Sequence, residues 1–182
     1  MPPPTTIDAL LVTAVFSRYA DALAWARQRL TDVFGPVALA GEPYSFHHTD
    51  YYTAAMGPGL KKQLFAFEKL VPLAKLADDK HVAIELENEL LQSGQYPEQR
   101  PINIDPGLLN LGKFMLATTK DNAQRIYLRD GIFAEVTLYF KDGEFCPWPW
   151  TYADYREPAV GEFLLCAREY YKQRLAKAEV ET

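Results

Sequence analysis

The residue types able to do chemistry concentrate between Ile102 and Phe140, where Asp105, Lys113, Lys120, Arg125 and Glu135 share one segment with Tyr127, Phe133 and Tyr139. Lys113, Lys120 and Arg125 gathered at one end of a sheet would hold a phosphate or carboxylate through charge-assisted hydrogen bonds, with Asp105 or Glu135 beside them as an acid-base group. Tyr127 and Tyr139 would supply the aromatic part of such a ligand face. The same residues also have a structural reading. Asp105 caps a short turn of helix that Pro106 opens, Arg125 and Glu135 pair across two strands, and the lysines are solvated. What separates the two readings is whether the three cations converge in space.

Other candidates are weaker. His47 and His48 are adjacent, so an extended backbone points them to opposite faces and only one can join a metal site; a set of His48 and Asp50 has no spacing motif behind it. The segment GPGLKK, Gly57 to Lys62, has the residues of a phosphate loop but not its spacing, and a turn followed by solvated lysines explains it. No nucleophile elbow, zinc-protease helix, dinucleotide fingerprint or Walker loop is present, so the cofactor is left unknown. PWPWTYADY, Pro147 to Tyr155, is a stiff aromatic segment suited either to a ligand groove or partner surface, or to closing the core.

The elements that must position these residues follow from periodicity. Ala9 to Ser17 is almost continuously apolar and β-prone, as a strand buried on both faces requires. From Tyr19 onward, Leu23, Ala26, Leu30, Val33 and Phe34 fall at helical spacing, and Gly35-Pro36 ends that helix. Beyond it the chain reads as extended segments around a Gly-Glu-Pro turn, the second at Tyr51 to Ala55, forming either a hairpin or an irregular loop. The run KKQLFAFEKLV alternates as a strand, Pro72 to Gln92 reads as a second helix, and SGQYPEQRP as a loop. The last helix places Val160, Phe163, Leu164, Ala167, Tyr170 and Tyr171 on one face.

Between these lie two Asp-Gly turns, LRDGIF and FKDGEF, flanking one strand. A three-residue loop at the first sets Leu128 opposite Ile132, Tyr127 opposite Phe133, Ile126 opposite Ala134 and Arg125 opposite Glu135, matching every pair in character. Ile132, Ala134, Val136, Leu138 and Phe140 would then face the core, and Phe133, Glu135, Thr137 and Tyr139 the other side. This order of elements predicts an α+β fold with a largely antiparallel sheet, about three helices, and a ferredoxin-like split βαβ core in the first half followed by a meander and a helix.

A chain of 182 residues, 48% hydrophobic and 24% charged, fits one globular domain over 1–182, with short tails at 1–6 and 178–182. A net charge of −5 disfavours nucleic acid as a partner, and no run is long and apolar enough to span a membrane. The opening residues lack the pattern of a signal peptide, and Cys146 and Cys166 form neither a Cys-x-x-Cys pair nor a disulfide framework, so a soluble cytoplasmic protein with reduced thiols is expected. Self-association is left open.

FGPV, FHHTDYYTAAMG, FAFEKLV, the long run NIDPGLLNLGKFMLATTKDNAQRIYLRDGIFAEVTLYF and PWTYADYR, in this order, resemble the bacterial family called Domain of Unknown Function 4416. The likeness covers nearly the whole chain. It implies a single-domain cytosolic bacterial protein and brings no catalytic or binding residues with it. Some relatives carry an automatic label of GTP-binding protein, which the missing phosphate loop does not support. One departure from the family pattern is Ala55, where an acidic residue usually stands before Met56. The reading reached from sequence is a protein that binds a small anionic ligand, a phosphorylated metabolite or nucleotide, with enzymatic activity left open. The alternative is a non-enzymatic interaction or scaffold module using the Pro/Trp-rich segment and the last helix.

Overall fold

The computed structural model describes residues 8–45 and 52–180. The expected tail at 1–6 and the residues His47, His48 and Asp50 lie outside the described residues. Strand β1 (Asp8–Ser17) is buried at every position from Ala9 onward, because both of its faces are covered and both of its edges are paired. Its neighbours are β4 (Lys61–Pro72) and β5 (Asn103–Leu109), both antiparallel to it, and β2 (Val37–Ala40) lies beyond β4. β1 and β2 are therefore parallel strands joined through helix α1 (Ala20–Phe34), with β4 inserted between them. β4 and β5 are joined in the same way through α3 (Leu76–Gln92), with β1 inserted. These two interlocked split βαβ units make the ferredoxin-like core.

Both crossover helices pack on one face of the sheet. Leu23, Ala26 and Leu30 of α1 and Leu76, Ala83 and Leu86 of α3 bury Leu11, Val15, Phe65, Phe67 and Ile104. The other face is covered by α4 (Pro158–Val180), whose Val160, Phe163, Leu164, Ala167 and Tyr171 lie over Leu10, Val12, Ala14, Leu64 and Ala66. Beyond β5 the sheet continues through β6 (Lys113–Thr118) and β8 (Ile132–Lys141). The short strands β7 (Ile126–Arg129) and β9 (Glu144–Pro147) share the far edge of β8, and β3 (Tyr44–Ser45) pairs with β4. The fold is thus α+β with an antiparallel sheet of nine strands and four α-helices among the described residues.

Several local expectations are corrected. Asp105 and Pro106 do not cap a helix; they lie within β5. Pairing of β5 with β6 stops at Gly107, so the neighbouring proline deprives that ladder of no hydrogen bond. Of the extended segment expected at Tyr51 to Ala55, Tyr51 lies outside the described residues, and Thr53–Met56 forms the one-turn helix α2 instead of a strand. Pro72 ends β4 rather than starting a helix; a 3-10 turn, Leu73–Lys75, precedes α3.

The β7–β8 hairpin keeps the expected pairs Ile126 with Ala134 and Tyr127 with Phe133, but Arg129, not Leu128, pairs with Ile132. The loop is a two-residue turn in which Asp130 (φ 53°) and Gly131 (φ 77°) are both left-handed, and Leu128 bulges to restore the register. A second bulge changes which side chains are buried. Phe114 pairs with Leu138 and Met115 with Val136, so Thr137 is an extra residue in β8. Past Thr137 the faces exchange: Ile132 and Ala134 pack with α3, whereas Leu138 and Phe140 pack on the α4 side. The single alternation expected along Ile132 to Phe140 therefore ends at Val136.

Candidate functional site

The site arises where β5 and β6 part. A Cβ on Gly107 would sit 2.5 Å from the Met115 carbonyl oxygen and 2.7 Å from the Phe114 ring, so only glycine lets β6 approach there. Beyond that contact Asn103 to Pro106 have no β6 partner, and α3 supplies side chains in its place. The Ile104 amide donates to Glu87 Oε1 at 2.6 Å, and its carbonyl accepts from Lys80 Nζ at 2.9 Å. Glu87 and Lys80 are seven residues apart on α3, so the helical repeat brings them to one face. These bonds satisfy buried backbone groups that a continuous ladder would otherwise have paired.

The gap opens into a cavity of about 360 Å³ on the α4 side of the sheet, over the part that α4 does not cover. Its floor is made by Phe16 of β1, Lys62 of β4, Asn103 and Asp105 of β5, and Lys80. Its far wall is Leu116 to Thr118 of β6 with Glu135 of β8, and the loop after β6 adds Thr119, Lys120 and Arg125. Tyr52, and the stretch Tyr152 to Tyr155 leading into a short 3-10 turn, form the roof. That roof is fastened to the β8 bulge: Thr151 Oγ1 donates to the Thr137 carbonyl at 2.6 Å and Trp150 Nε1 to the Val136 carbonyl at 3.3 Å. The Pro/Trp-rich segment is in this way a wall of the cavity. Trp148 and Trp150 stack on each other at 5.2 Å between centroids.

Five cations, Lys62, Lys80, Arg100, Lys120 and Arg125, line the cavity with three carboxylates, Asp105, Glu135 and Asp154. Most are fixed by ion pairs with little exposure. Arg125 Nε donates to Glu135 Oε2 at 2.9 Å, with the two side chains 3% and 4% exposed. The other Arg125 nitrogens donate to the Lys120 carbonyl and Tyr152 Oη, so one guanidinium joins strand, loop and roof. Lys62 pairs with Asp154, and its ammonium lies over the Tyr155 ring, 3.6 Å from the centroid. Lys80 donates to Asp105 Oδ1 at 3.0 Å and Asn103 Nδ2 to Asp105 Oδ2 at 2.7 Å; Arg100 binds Asn103 Oδ1 and Glu87.

The fields act in opposite directions on neighbouring acids. Burial pushes the Asp105 carboxyl up, but Lys80, Lys62 and the bonds from Lys80 and Asn103 outweigh it and hold it below the ordinary value. At Glu87 burial prevails over Lys80 and Arg100, and the carboxyl is raised. Burial, with the nearby Asp105 and Asp154 carboxylates, raises the Tyr155 phenol well above its usual value and keeps it a neutral donor. The cavity thus contains an ionised carboxylate, fixed cations and a protonated phenol, a set able to bind an anion and a hydrogen-bond acceptor together.

Of the residues singled out from sequence, Asp105, Lys120, Arg125 and Glu135 meet in this cavity. Lys113, Tyr127 and Tyr139 do not line it. Lys113 opens β6 opposite Tyr139, whose ring packs on Trp148, and Tyr127 is 58% exposed on the edge strand against Phe133. Sequence reasoning missed Lys62, Lys80, Asn103, Asp154 and Tyr155. For two of them a signal was present: Lys62 shares the strand alternation of Leu64 and Ala66, and Lys80 falls three residues from both Ala77 and Ala83 on the buried stripe of α3. Among the described residues no group of three or more His, Cys, Asp or Glu side chains is placed to hold a metal ion, and no helix is long and apolar enough to cross a membrane.

No curated protein and no solved structure matches the chain. Residues 7–171 match the family described as Domain of unknown function (DUF4416). Cavity, roof and sheet all fall inside those limits, and the chain belongs to the DUF4416 family.

Proposed function

We propose that this protein binds a small anionic metabolite, a phosphorylated compound or nucleotide, in the cavity between the parted strands. The observation that carries the reading is the excess of cations, five against three carboxylates, around one half-open space also lined by Phe16, Tyr52, Tyr152 and Tyr155. Ligand sites are commonly concave and partly aromatic, with a few fixed polar groups. Lys120 and Arg125 stand in the loop beside Thr118 and Thr119 and receive the anionic group; the rings receive the flat or apolar part. The free thiols of Cys146 and Cys166 support a cytoplasmic protein, as the family likeness supports a bacterial one.

The test is a thermal-shift screen of sugar phosphates, nucleotides and carboxylate metabolites, followed by calorimetry. A ligand at about a hundred times its Kd stabilises the folded state by about 2.7 kcal/mol. Lys120→Ala, at an exposed position, should weaken that ligand by about tenfold. A screen in which nothing stabilises the protein refutes the reading. The second reading, an interaction module built on Pro147 to Tyr155 and α4, draws support from Trp150 and Tyr152, which are 40% and 51% exposed. Trp150→Ala with Tyr152→Ala would then abolish self-association or partner binding.

A further inference from the structure

The Tyr155 hydroxyl is buried and has no hydrogen-bond partner, although its residue lines the cavity and is only 4% exposed. A buried phenol usually finds an acceptor, and leaving one without a partner is costly. Nothing in the packing of the fold requires a hydroxyl here, since Tyr155 meets Phe114 and the aliphatic core through its ring. Every other polar group on the floor is engaged: Lys62 with Asp154, Lys80 and Asn103 with Asp105, Arg100 with Asn103. One donor, on a residue of the cavity lining, is left without a partner from the protein itself.

The character of that partner follows from its surroundings. Asp154 directly precedes Tyr155, and both Asp105 and Asp154 act on its phenol through their negative charge. Asp105 is paired with Lys80 and Asp154 with Lys62, whose ammonium lies over the Tyr155 ring, so the charges around the phenol are already balanced and the place suits an uncharged acceptor such as a carbonyl or ring nitrogen. The rings of Phe16 and Tyr52 line the same cavity and suit a flat group. Lys120 and Arg125, on the loop after β6, take the anion.

We infer that the Tyr155 hydroxyl is the specificity-determining donor of this cavity, and that its ligand is a small acid bearing an uncharged hydrogen-bond acceptor on a planar group. The inference rests on the anion-binding reading above. It excludes simple anions and purely aliphatic phosphates as the preferred ligands, since these leave the phenol without a partner.

Three probes separate the elements of recognition: inorganic phosphate, phenyl phosphate, and 4-acetylphenyl phosphate, which differs from the second by one carbonyl acceptor. Binding of each to wild type and to Tyr155→Phe is measured by calorimetry, with the melting temperature of both free proteins recorded. Wild type should prefer 4-acetylphenyl phosphate to phenyl phosphate by about tenfold, as one buried hydrogen bond predicts. Tyr155→Phe should abolish that preference and melt no lower than wild type, because it removes a donor that had no partner. Equal binding of the two aryl phosphates by wild type overturns the inference without needing the variant. So does a preference that survives in Tyr155→Phe, or a lower melting temperature of the free variant, which would give the hydroxyl a structural role. If none of the three probes binds wild type, the anion-binding reading falls and this inference falls with it.

Discussion

Glu135→Gln is the sharpest test of how the site is held. The substitution keeps the shape and one acceptor oxygen but removes the charge that faces Arg125 Nε at 2.9 Å. Arg125 is 3% exposed on its side chain, and its two remaining bonds go to the neutral Lys120 carbonyl and Tyr152 Oη. The variant therefore leaves a guanidinium desolvated and uncompensated, which costs about 3–5 kcal/mol. That is a large part of the roughly 5–15 kcal/mol by which a domain is stable. With a urea slope of about 2 kcal/mol/M, the unfolding midpoint should fall by about 1.5–2.5 M at an unchanged slope. The double variant Arg125→Met, Glu135→Leu should recover most of this loss, since replacing a buried pair by apolar groups is often neutral. A midpoint shift below about 0.5 M in Glu135→Gln would show the pair to be solvated and refute the reasoning. A double variant as unstable as the single one would show that geometry, not charge, was lost.

Other outcomes follow from single features. Asp79 on α3 is buried with Oδ2 unpartnered, and burial, opposed by Lys75 and aided by Asp78, pushes its carboxyl up to about 6. A raised carboxyl costs stability above its folded pKa and nothing below its unfolded one. Asp79→Asn should therefore stabilise the protein by up to about 3 kcal/mol at pH 8, and by about half as much at pH 5, in urea titrations at the two pH values; a gain independent of pH would contradict this. Gly107→Ala places a Cβ against the Met115 carbonyl and the Phe114 ring, and should lower the melting temperature by about 3–10 °C, the effect of 1–3 kcal/mol of overpacking. An unchanged melting temperature would mean that β6 can move away from β5 without loss.

The ferredoxin-like core was legible because its signals are local. The almost continuously apolar run from Ala9 to Ser17 marks a strand covered on both faces, the spacing from Leu23 to Phe34 marks α1, and Gly35 at φ 91° ends it. The stripe from Val160 to Tyr171 marks α4, with Tyr170 at its half-buried margin. The hairpin register was half legible. Matching side chains aligned Tyr127 with Phe133, but a bulge changes the residue count of one strand without changing the character of its neighbours. Leu128 and Thr137 accordingly gave no warning.

The chain alone therefore determined the buried strand β1, the three long helices, the α+β class, and the presence of cations and acids between Asp105 and Glu135. Only the tertiary structure decided which of them meet. Asp105 reads as a helix cap until β1 pairs along it and makes Pro106 part of a strand. Lys80 falls on the buried stripe of α3, but it has a partner only because β5 and β6 part and leave the Ile104 carbonyl needing a donor. Asp154 and Tyr155 lie 92 and 93 positions beyond Lys62 in the chain, and reach it because the β8 bulge anchors the roof. Contacts of that range depend on how strands diverge and where bulges turn them, and such geometry is set by packing across the whole sheet rather than by any local spacing of residues.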